Sequence, residues 1–201
     1  HYTTDGSEPT ATSPLYEKIV PVKEALTLKG AIFAHGRQMG KTLILPVRWN
    51  LATAKPVLGT NPTEKLLTNG IRGSLKYSDF EWCSWADNDS VSFTIDLLKP
   101  EMLNTLTLGC ITNNGMAIHK PASVRVEVSD DNSKFREAVV QSFTSEEIFR
   151  EGNFIENLSL KLGGTQARYV RVTAKGPGVC PASHVRPGQT SRIFFDEVML
   201  E

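Results

Sequence analysis

Neither sign of charge is in excess in this chain. Its 201 residues carry 22 Lys+Arg against 22 Asp+Glu. Binding that leans on phosphate neutralisation, to nucleic acid or to an anionic membrane, has no electrostatic footing here. Long apolar runs are missing too, since none approaches the roughly 20 residues that cross a bilayer. Cysteine is scarce, at three: Cys83, Cys110 and Cys180. The odd count leaves at least one thiol unpaired, and no two stand at C-x-x-C spacing. A zinc site of the usual ligand spacing is therefore unsupported, and two or three buried free thiols are expected. A Cys83–Cys180 or Cys110–Cys180 bridge stays open as an alternative. The four histidines, His1, His35, His119 and His184, show no helical pair spacing and read as loop or surface residues. No G-x-S-x-G is present, so a serine nucleophile has no local signature. No secretory signal pattern opens the sequence, and His1 is not taken as a native start.

What is present is period-two alternation punctuated by proline and glycine. Val91, Phe93, Ile95 and Leu97 alternate with Ser92, Thr94 and Asp96. Val124, Val126 and Val128 alternate with Arg125 and Glu127, Leu158, Leu160 and Leu162 with Ser159 and Lys161, and Val170, Val172 and Ala174 with Arg171 and Thr173. Such patterning predicts half-buried antiparallel strands, and several of them separated by turns predict an all-β sandwich or barrel. Arg125 and Arg171 then lie on outer faces beside Glu127 and other acids. Residues 145–151 read as one helical turn, capped by Ser145 with Glu146 and Glu147 in the first turn. Leu26, Leu28, Gly30 and Ile32 alternate, His35-Gly36 through Gly40 reads as a hairpin turn, and Leu43, Leu45 and Val47 resume the alternation. A first domain is thus expected over residues 1–50. Residues 51–62, with Pro56, Gly59 and Pro62, are expected as a linker or lead-in strand, and a second domain over residues 63–201.

Two strings carry resemblances. Tyr2-Thr3-Thr4-Asp5-Gly6-Ser7-Glu8-Pro9-Thr10, followed by Ser13-Pro14-Leu15-Tyr16, resembles the fibronectin-III-associated, or chitobiase C-terminal, domain. Leu67-Thr68-Asn69-Gly70-Ile71-Arg72-Gly73-Ser74, then Trp82, Lys120-Pro121-Ala122-Ser123-Val124, Val128-Ser129-Asp130-Asp131, Ala167-Arg168-Tyr169-Val170-Arg171-Val172, Cys180-Pro181, His184 and Phe195-Asp196-Glu197, resembles the discoidin, or F5/8 type C, module. That module is also known as the family 32 carbohydrate-binding module. Both modules occur in this order at the C-terminus of bacterial family 20 glycoside hydrolases, the β-N-acetylhexosaminidases. The resemblance implies a small fibronectin-associated β-sandwich followed by a discoidin-like, galactose-binding-like jelly roll. It implies a fragment of a larger periplasmic, secreted or cell-surface bacterial enzyme. Its partners would be glycans containing amino sugar or galactose and its own catalytic domain, with no nucleic acid and no membrane span. The competing expectation is a spacer that braces the catalytic domain and binds no sugar.

Catalysis within these residues is not expected. A glycosidase sets two carboxylates, or one plus a substrate acetamido group, in a cleft. Asp196-Glu197 resembles the adjacent acidic pair of the family 20 enzymes, but it falls on the last strand of a sandwich. A (β/α)₈ barrel takes roughly 250 residues, more than this chain has.

For sugar binding, the resemblance points to loops at one end of the sandwich, where an exposed aromatic stacks on the pyranose and polar side chains bond its hydroxyls. Candidates by position are Phe80, Trp82 and Trp85, then Asn113, Asn114 and His119, then His184 and Arg186. Trp82 falls at the family's core tryptophan. The site expected is therefore Phe80, Trp85, Asn114, His119 and His184. Met116, Ile118 and Ser191-Arg192-Ile193 stand where related modules carry aromatics, so an altered site is also expected. The resemblance further implies a structural calcium ion stapling the first loop to the last strand, through Asn69, Ser74 and Glu197. Asn69 replaces the family's usual aspartate, which should weaken the ion's hold. The alternative is a plain turn at Asn69-Gly70, with Glu197 paired to Arg72.

Overall fold

Alternation of apolar residues dictates strands, and the computed structural model, which describes residues 1–85 and 90–201, is built almost wholly from them. The chain divides into two units, His1–Trp49 and Asn50–Glu201.

The first unit carries a three-stranded antiparallel sheet of β1 (Tyr2–Thr3), β2 (Leu26–Ala34) and β3 (Arg37–Val47), in the order β1-β2-β3. Strand β3 resumes at Arg37, so the hairpin turn is only His35-Gly36. Both turn residues have positive φ, 51° and 73°, the conformation whose twist matches that of paired strands. Little of this sheet is covered: Ala31 and Val47 are buried, while Ile32, Met39 and Leu43 are exposed.

The second unit contains β4 (Val57–Leu58), β5 (Cys83–Trp85), β6 (Ser90–Asn113), β7 (Ser123–Ser129), β8 (Arg136–Ser142), the single-turn helix α1 (Ser145–Ile148), β9 (Asn153–Lys175) and β10 (Ile193–Leu200). The strand order is β5-β10-β6-β9-β7-β8, with β4 on β6. Strands β6 and β9 are long and irregular. Their register slips between Asp96 and Glu101, where Leu98 takes a φ of 71°. On one side of that slip, residues 90–96 pair with the C-terminal part of β9, which also pairs with β7. On the other side, residues 105–113 pair with the N-terminal part of β9, and β10 joins through Leu106–Cys110. The two halves close on one core: Phe93, Ile95, Val126 and Val172 from one, Leu106, Leu108, Leu160 and Phe195 from the other.

Residues 51–62, expected as a linker, belong to the second unit. Leu51 N–H donates to the Leu200 carbonyl, Val57 and Leu58 pair with Ile95 and Thr94, and Ala52 is buried in the core. The cap of α1 is one residue earlier than expected. Thr144 accepts from Glu147 N–H while the Glu147 carboxylate accepts from Thr144 N–H, a reciprocal capping box. The outward arginines are paired as alternation requires, Arg171 with Glu127 at 2.9 Å and Arg125 with Glu137 at 3.6 Å. All three thiols are buried and unbridged.

Candidate functional site

Three segments meet at one end of the second unit. The first, residues 113–119, turns tightly: Asn114–Met116 form a 3₁₀ turn, Ala117 is left-handed at φ 51°, and Asn113 bridges Ile118. The second, residues 176–192, is zipped to the first. His119 N–H donates to the Arg192 carbonyl (3.1 Å), and Arg192 N–H to the Ala117 carbonyl (2.9 Å). Side chains add to the seam, with Arg192 Nη2 donating to the Met116 carbonyl (3.0 Å) and Arg186 Nε to the Gly115 carbonyl. The third, residues 74–82, is organised by Asp79, whose carboxylate accepts from Ser74 N–H (2.7 Å) and Glu81 N–H (3.1 Å). Tyr77 of this segment meets Phe194 edge-on at 6.2 Å, and the Arg192 guanidinium lies 5.6 Å from the same ring. Trp82 packs with Ile111, Ile118 and Phe194 beneath them.

Of the five residues expected to bind sugar, the structure leaves Phe80 at the surface, 92% exposed. Trp85 is corrected to the core. It alternates with outward Ser84 on β5, is 8% exposed, stacks on Phe93 at 6.2 Å and meets Phe195 edge-on at 5.7 Å. Asn114, His119 and His184 do come together at the loop end, but beneath the surface. His119 is fully buried, and the other two nearly so. Both histidines lie on loops, as read, but are buried there, and their rings form the floor of the loops. Exposed polarity there comes from Arg186, with half-buried Arg192 and Asn113 beside it. Arg192 was not among the candidates, because nothing in its local spacing distinguishes it from an outward strand residue.

The buried floor is a cluster of rings and a thiol. His119 and His184 stand 5.0 Å apart between centroids, and Phe149 contacts both, at 5.0 and 6.1 Å. Cys180 completes the group: one ligand-capable atom from each of His119, Cys180 and His184 lies within 4.8 Å of the others. Neither ring nitrogen of His119 has a hydrogen-bond partner, nor does Nε2 of His184 or Oδ1 of Asn114. The Ile148 carbonyl faces the His119 ring without closing a normal bond. Burial, helped by the neighbouring His184, pulls His119 down to about 4, so it is neutral near pH 7. Nδ1 of His184 accepts from Arg186 N–H at 3.0 Å, and the Cys180 thiol touches the Ser191 hydroxyl at 3.3 Å.

The junction of the first loop with the last strand is built differently. A β-bulge on β10 sets Phe195 opposite Cys110 and Val198 opposite Leu108, so Asp196 and Glu197 together face Gly109. Both acids are fully buried. Asp196 Oδ2 accepts from Arg72 Nε (2.7 Å) and Gly73 N–H (2.9 Å), while Glu197 Oε2 accepts from Gly70 N–H (3.0 Å). Arg72 thus pairs with Asp196, not with Glu197. Gly70 has a φ of 78°, as the turn reading required. Gly109 must lack a side chain, because a Cβ there would lie 2.0 Å from Asp196 Oδ1. Burial raises Glu197 to about 9, with the Asp196 charge adding to the rise.

The side chains of Asn69, Ser74 and Glu197, expected to hold calcium, are engaged within the protein at all but one oxygen. Calcium takes 6–8 converging oxygens. Here Asn69 Oδ1 accepts from Ile71 N–H, its Nδ2 donates to Glu81, and Ser74 Oγ accepts from Lys76 N–H. Of the three, Glu197 alone keeps an unpartnered oxygen, Oε1, with the Asn50 amide alongside. The loop points N–H groups and a guanidinium at the two acids, which is the polarity of an anion nest.

An antiparallel sandwich with loops gathered at one end is the architecture of a discoidin-type module. The F5/8 type C domain matches residues 52–185 and the chitobiase/beta-hexosaminidase C-terminal domain matches residues 1–43. The chain belongs to the F5/8 type C domain family. Among solved structures it is similar to chitosan-binding module 1 of a chitosanase/glucanase from Paenibacillus sp. IK-5. That match has 16% identity and a TM-score of 0.50, and covers 77% of this chain and 99% of that one. It is also similar to CpGH89CBM32-6 from Clostridium perfringens (18% identity, 76% and 98% covered, TM-score 0.49). The C-terminal domain of a chitobiase from Bacteroides fragilis matches at 16% identity, with 68% and 78% covered and a TM-score of 0.41. At these identities the likeness is one of fold. A search among curated proteins finds no match. No described helix is long and apolar enough to cross a membrane.

Proposed function

We propose that the second unit is a non-catalytic glycan-binding module serving a bacterial glycoside hydrolase, a β-N-acetylhexosaminidase, that acts in the periplasm, at the cell surface or after secretion. The observation that carries this reading is the loop end itself. Phe80 is exposed on a loop whose base, Tyr77, rests on the same Phe194 ring as the Arg192 guanidinium. An exposed apolar ring and guanidinium donors at one end of the module suit a pyranose, whose own face is apolar and whose rim is hydroxyl. Family membership and the chitosan-binding relative support an amino-sugar ligand, with galactose-containing glycans as the other class. The acid pair Asp196-Glu197 supports no hydrolysis: both carboxyls are buried and one is held in an ion pair. We propose, too, that this pair and the Arg72 guanidinium staple the two ends of the domain in the place the family resemblance gave to calcium.

Bracing of a catalytic domain is the second reading. It is favoured by the loss of Trp85, His119 and His184 from the surface, which leaves Phe80 as the exposed candidate ring. Ligand-observed NMR with N-acetylglucosamine, N-acetylgalactosamine and galactose separates the two. Binding is expected to be weak, since one sugar offers few atoms. It should be lost in Phe80→Ala, which removes most of the desolvated contact but no core packing. No response from any sugar at high millimolar concentration favours bracing. A response that survives Phe80→Ala moves the site elsewhere on the module.

A further inference from the structure

We propose that His119, Cys180 and His184 form a binding site for zinc or a zinc-like divalent ion, which clips the 113–119 loop to the 176–192 loop. Nothing in the sugar-binding reading requires this, and the proposal stands independently of it.

Imidazole nitrogen and thiolate sulfur together are the donor set that zinc prefers, and they discriminate against calcium and magnesium, which take oxygen. All three residues are buried, and their candidate ligand atoms already lie within 4.8 Å of one another. Tetrahedral zinc, with bonds of about 2.0–2.1 Å to nitrogen and about 2.3 Å to sulfur, sets such atoms roughly 3.3–3.7 Å apart. Side-chain adjustments of about 1 Å therefore close the site. A second observation points the same way: both His119 nitrogens and His184 Nε2 are buried without partners, although buried polar atoms are nearly always bonded. Leaving such groups unmet is costly, and a metal bond would recover that cost. The surroundings suit the charges. Ser191 Oγ stands 3.3 Å from the sulfur, placed to donate to a thiolate, and the Ile148 carbonyl faces the His119 ring, placed to take its remaining N–H.

Loading changes one contact in a defined way. In the metal-free fold, Nδ1 of His184 accepts from Arg186 N–H, which puts the ring proton on Nε2. Coordination through Nε2 needs that lone pair, so the proton shifts to Nδ1 and the Arg186 amide has to leave it. The thiol proton goes to solvent. The residues after His184, from Val185 through Thr190, are exposed and have room to adjust. The site is thus paid for in part by one turn hydrogen bond.

Cobalt(II) is the probe, added to the reduced full chain with zinc as competitor. One equivalent should give a thiolate-to-cobalt charge-transfer band with the strong visible absorption of four-coordination, and one equivalent of zinc should erase it. Cys83 and Cys110 belong to no cluster of three candidate ligands among the described residues. The Arg186 amide resonance should move on zinc addition while amides of the β7–β8 hairpin stay in place. Cys180→Ser should abolish the band and keep the circular dichroism of the parent. The NMR and cobalt readouts on the unmodified chain hold even if that variant fails to fold. Absence of a thiolate band overturns the proposal. So does a thiolate band that survives Cys180→Ser, since that places the metal on another cysteine.

Discussion

Two buried polar clusters in the same sandwich are wired in opposite ways. At the junction of the first loop and the last strand, Asp196 and Glu197 receive the Arg72 guanidinium and the N–H groups of Gly70 and Gly73. At the loop end, His119, His184 and Asn114 bury nitrogens and oxygens that receive nothing. Burying a polar group is tolerable when its partners are buried with it and costly when they are not. The carboxyl oxygens of the first cluster are partnered within the folded protein at all but Glu197 Oε1. The second has the chemistry of a site waiting for an occupant.

The largest effect should come from breaking the wired cluster. Asp196→Ala strips the partner from Arg72 and from Gly73 N–H, and removing one member of a buried ion pair costs about 3–5 kcal/mol. At roughly 2–4 °C per kcal/mol for a chain of this size, the melting midpoint of the second unit should fall by roughly 6–20 °C. Circular dichroism melting reads this directly, and a fall of only a degree or two would show that the pair is not stapling the domain.

A medium effect, of opposite sign, is expected one residue on. Folded Glu197 holds its proton up to about 9, whereas the ordinary value is 4.5. Between those limits the folded state binds more protons than the unfolded one, so stability falls as pH rises through the window. Glu197→Gln cannot ionise. Its melting midpoint should match the parent near pH 4.5 and exceed it increasingly towards pH 9, by a few degrees. The advantage should be the same with calcium as with chelator. Calcium that stabilises the parent and not the variant would restore the ion to this junction.

The smallest effect should come from the unwired cluster. His119→Phe removes two unpartnered nitrogens and keeps a ring against Phe149 and His184. In metal-free protein the change should be neutral or stabilising, because nothing was bonded to the atoms removed. Urea unfolding measures it. A loss as large as that of Asp196→Ala would mean the imidazole is bonded after all, and the contrast between the clusters would collapse.

How far the sequence announces this structure depends on the range over which each feature is set. Val91–Leu97, Val124–Val128, Leu158–Leu162 and Val170–Ala174 lie in strands because alternation is a local code with a period of two. The same code carries the fate of Trp85, which shares the inward face of a three-residue strand with Cys83. Asp196 and Glu197 are successive, so alternation would send one of them outward. The bulge that turns both inward is a property of the pairing with β6 and leaves no mark on the chain. The histidines were the hardest. His119 sits on one loop and Cys180 and His184 on another, and the three are brought together by the seam between Ala117–His119 and Arg192. Residues 51–62 carry the composition of a linker, yet Val57 and Leu58 find an open edge of β6, which proline and glycine counts do not reveal.

Strands β6 and β9 each run through both halves of the sandwich, so neither half owns a complete set of strands. Ser90 meets Lys175 at one end of this ribbon and Asn113 meets Asn153 at the other. Chain closure between such distant partners has to precede most of the core, whereas β7 and β8 can form their hairpin locally. Folding dominated by non-local pairing is slow, on the order of milliseconds to seconds. During that interval the edges of β6 and β9 are bare, and apolar strands with bare edges are the surfaces through which chains aggregate. The long ribbon that makes the finished domain a single unit therefore makes its assembly the step most exposed to misfolding.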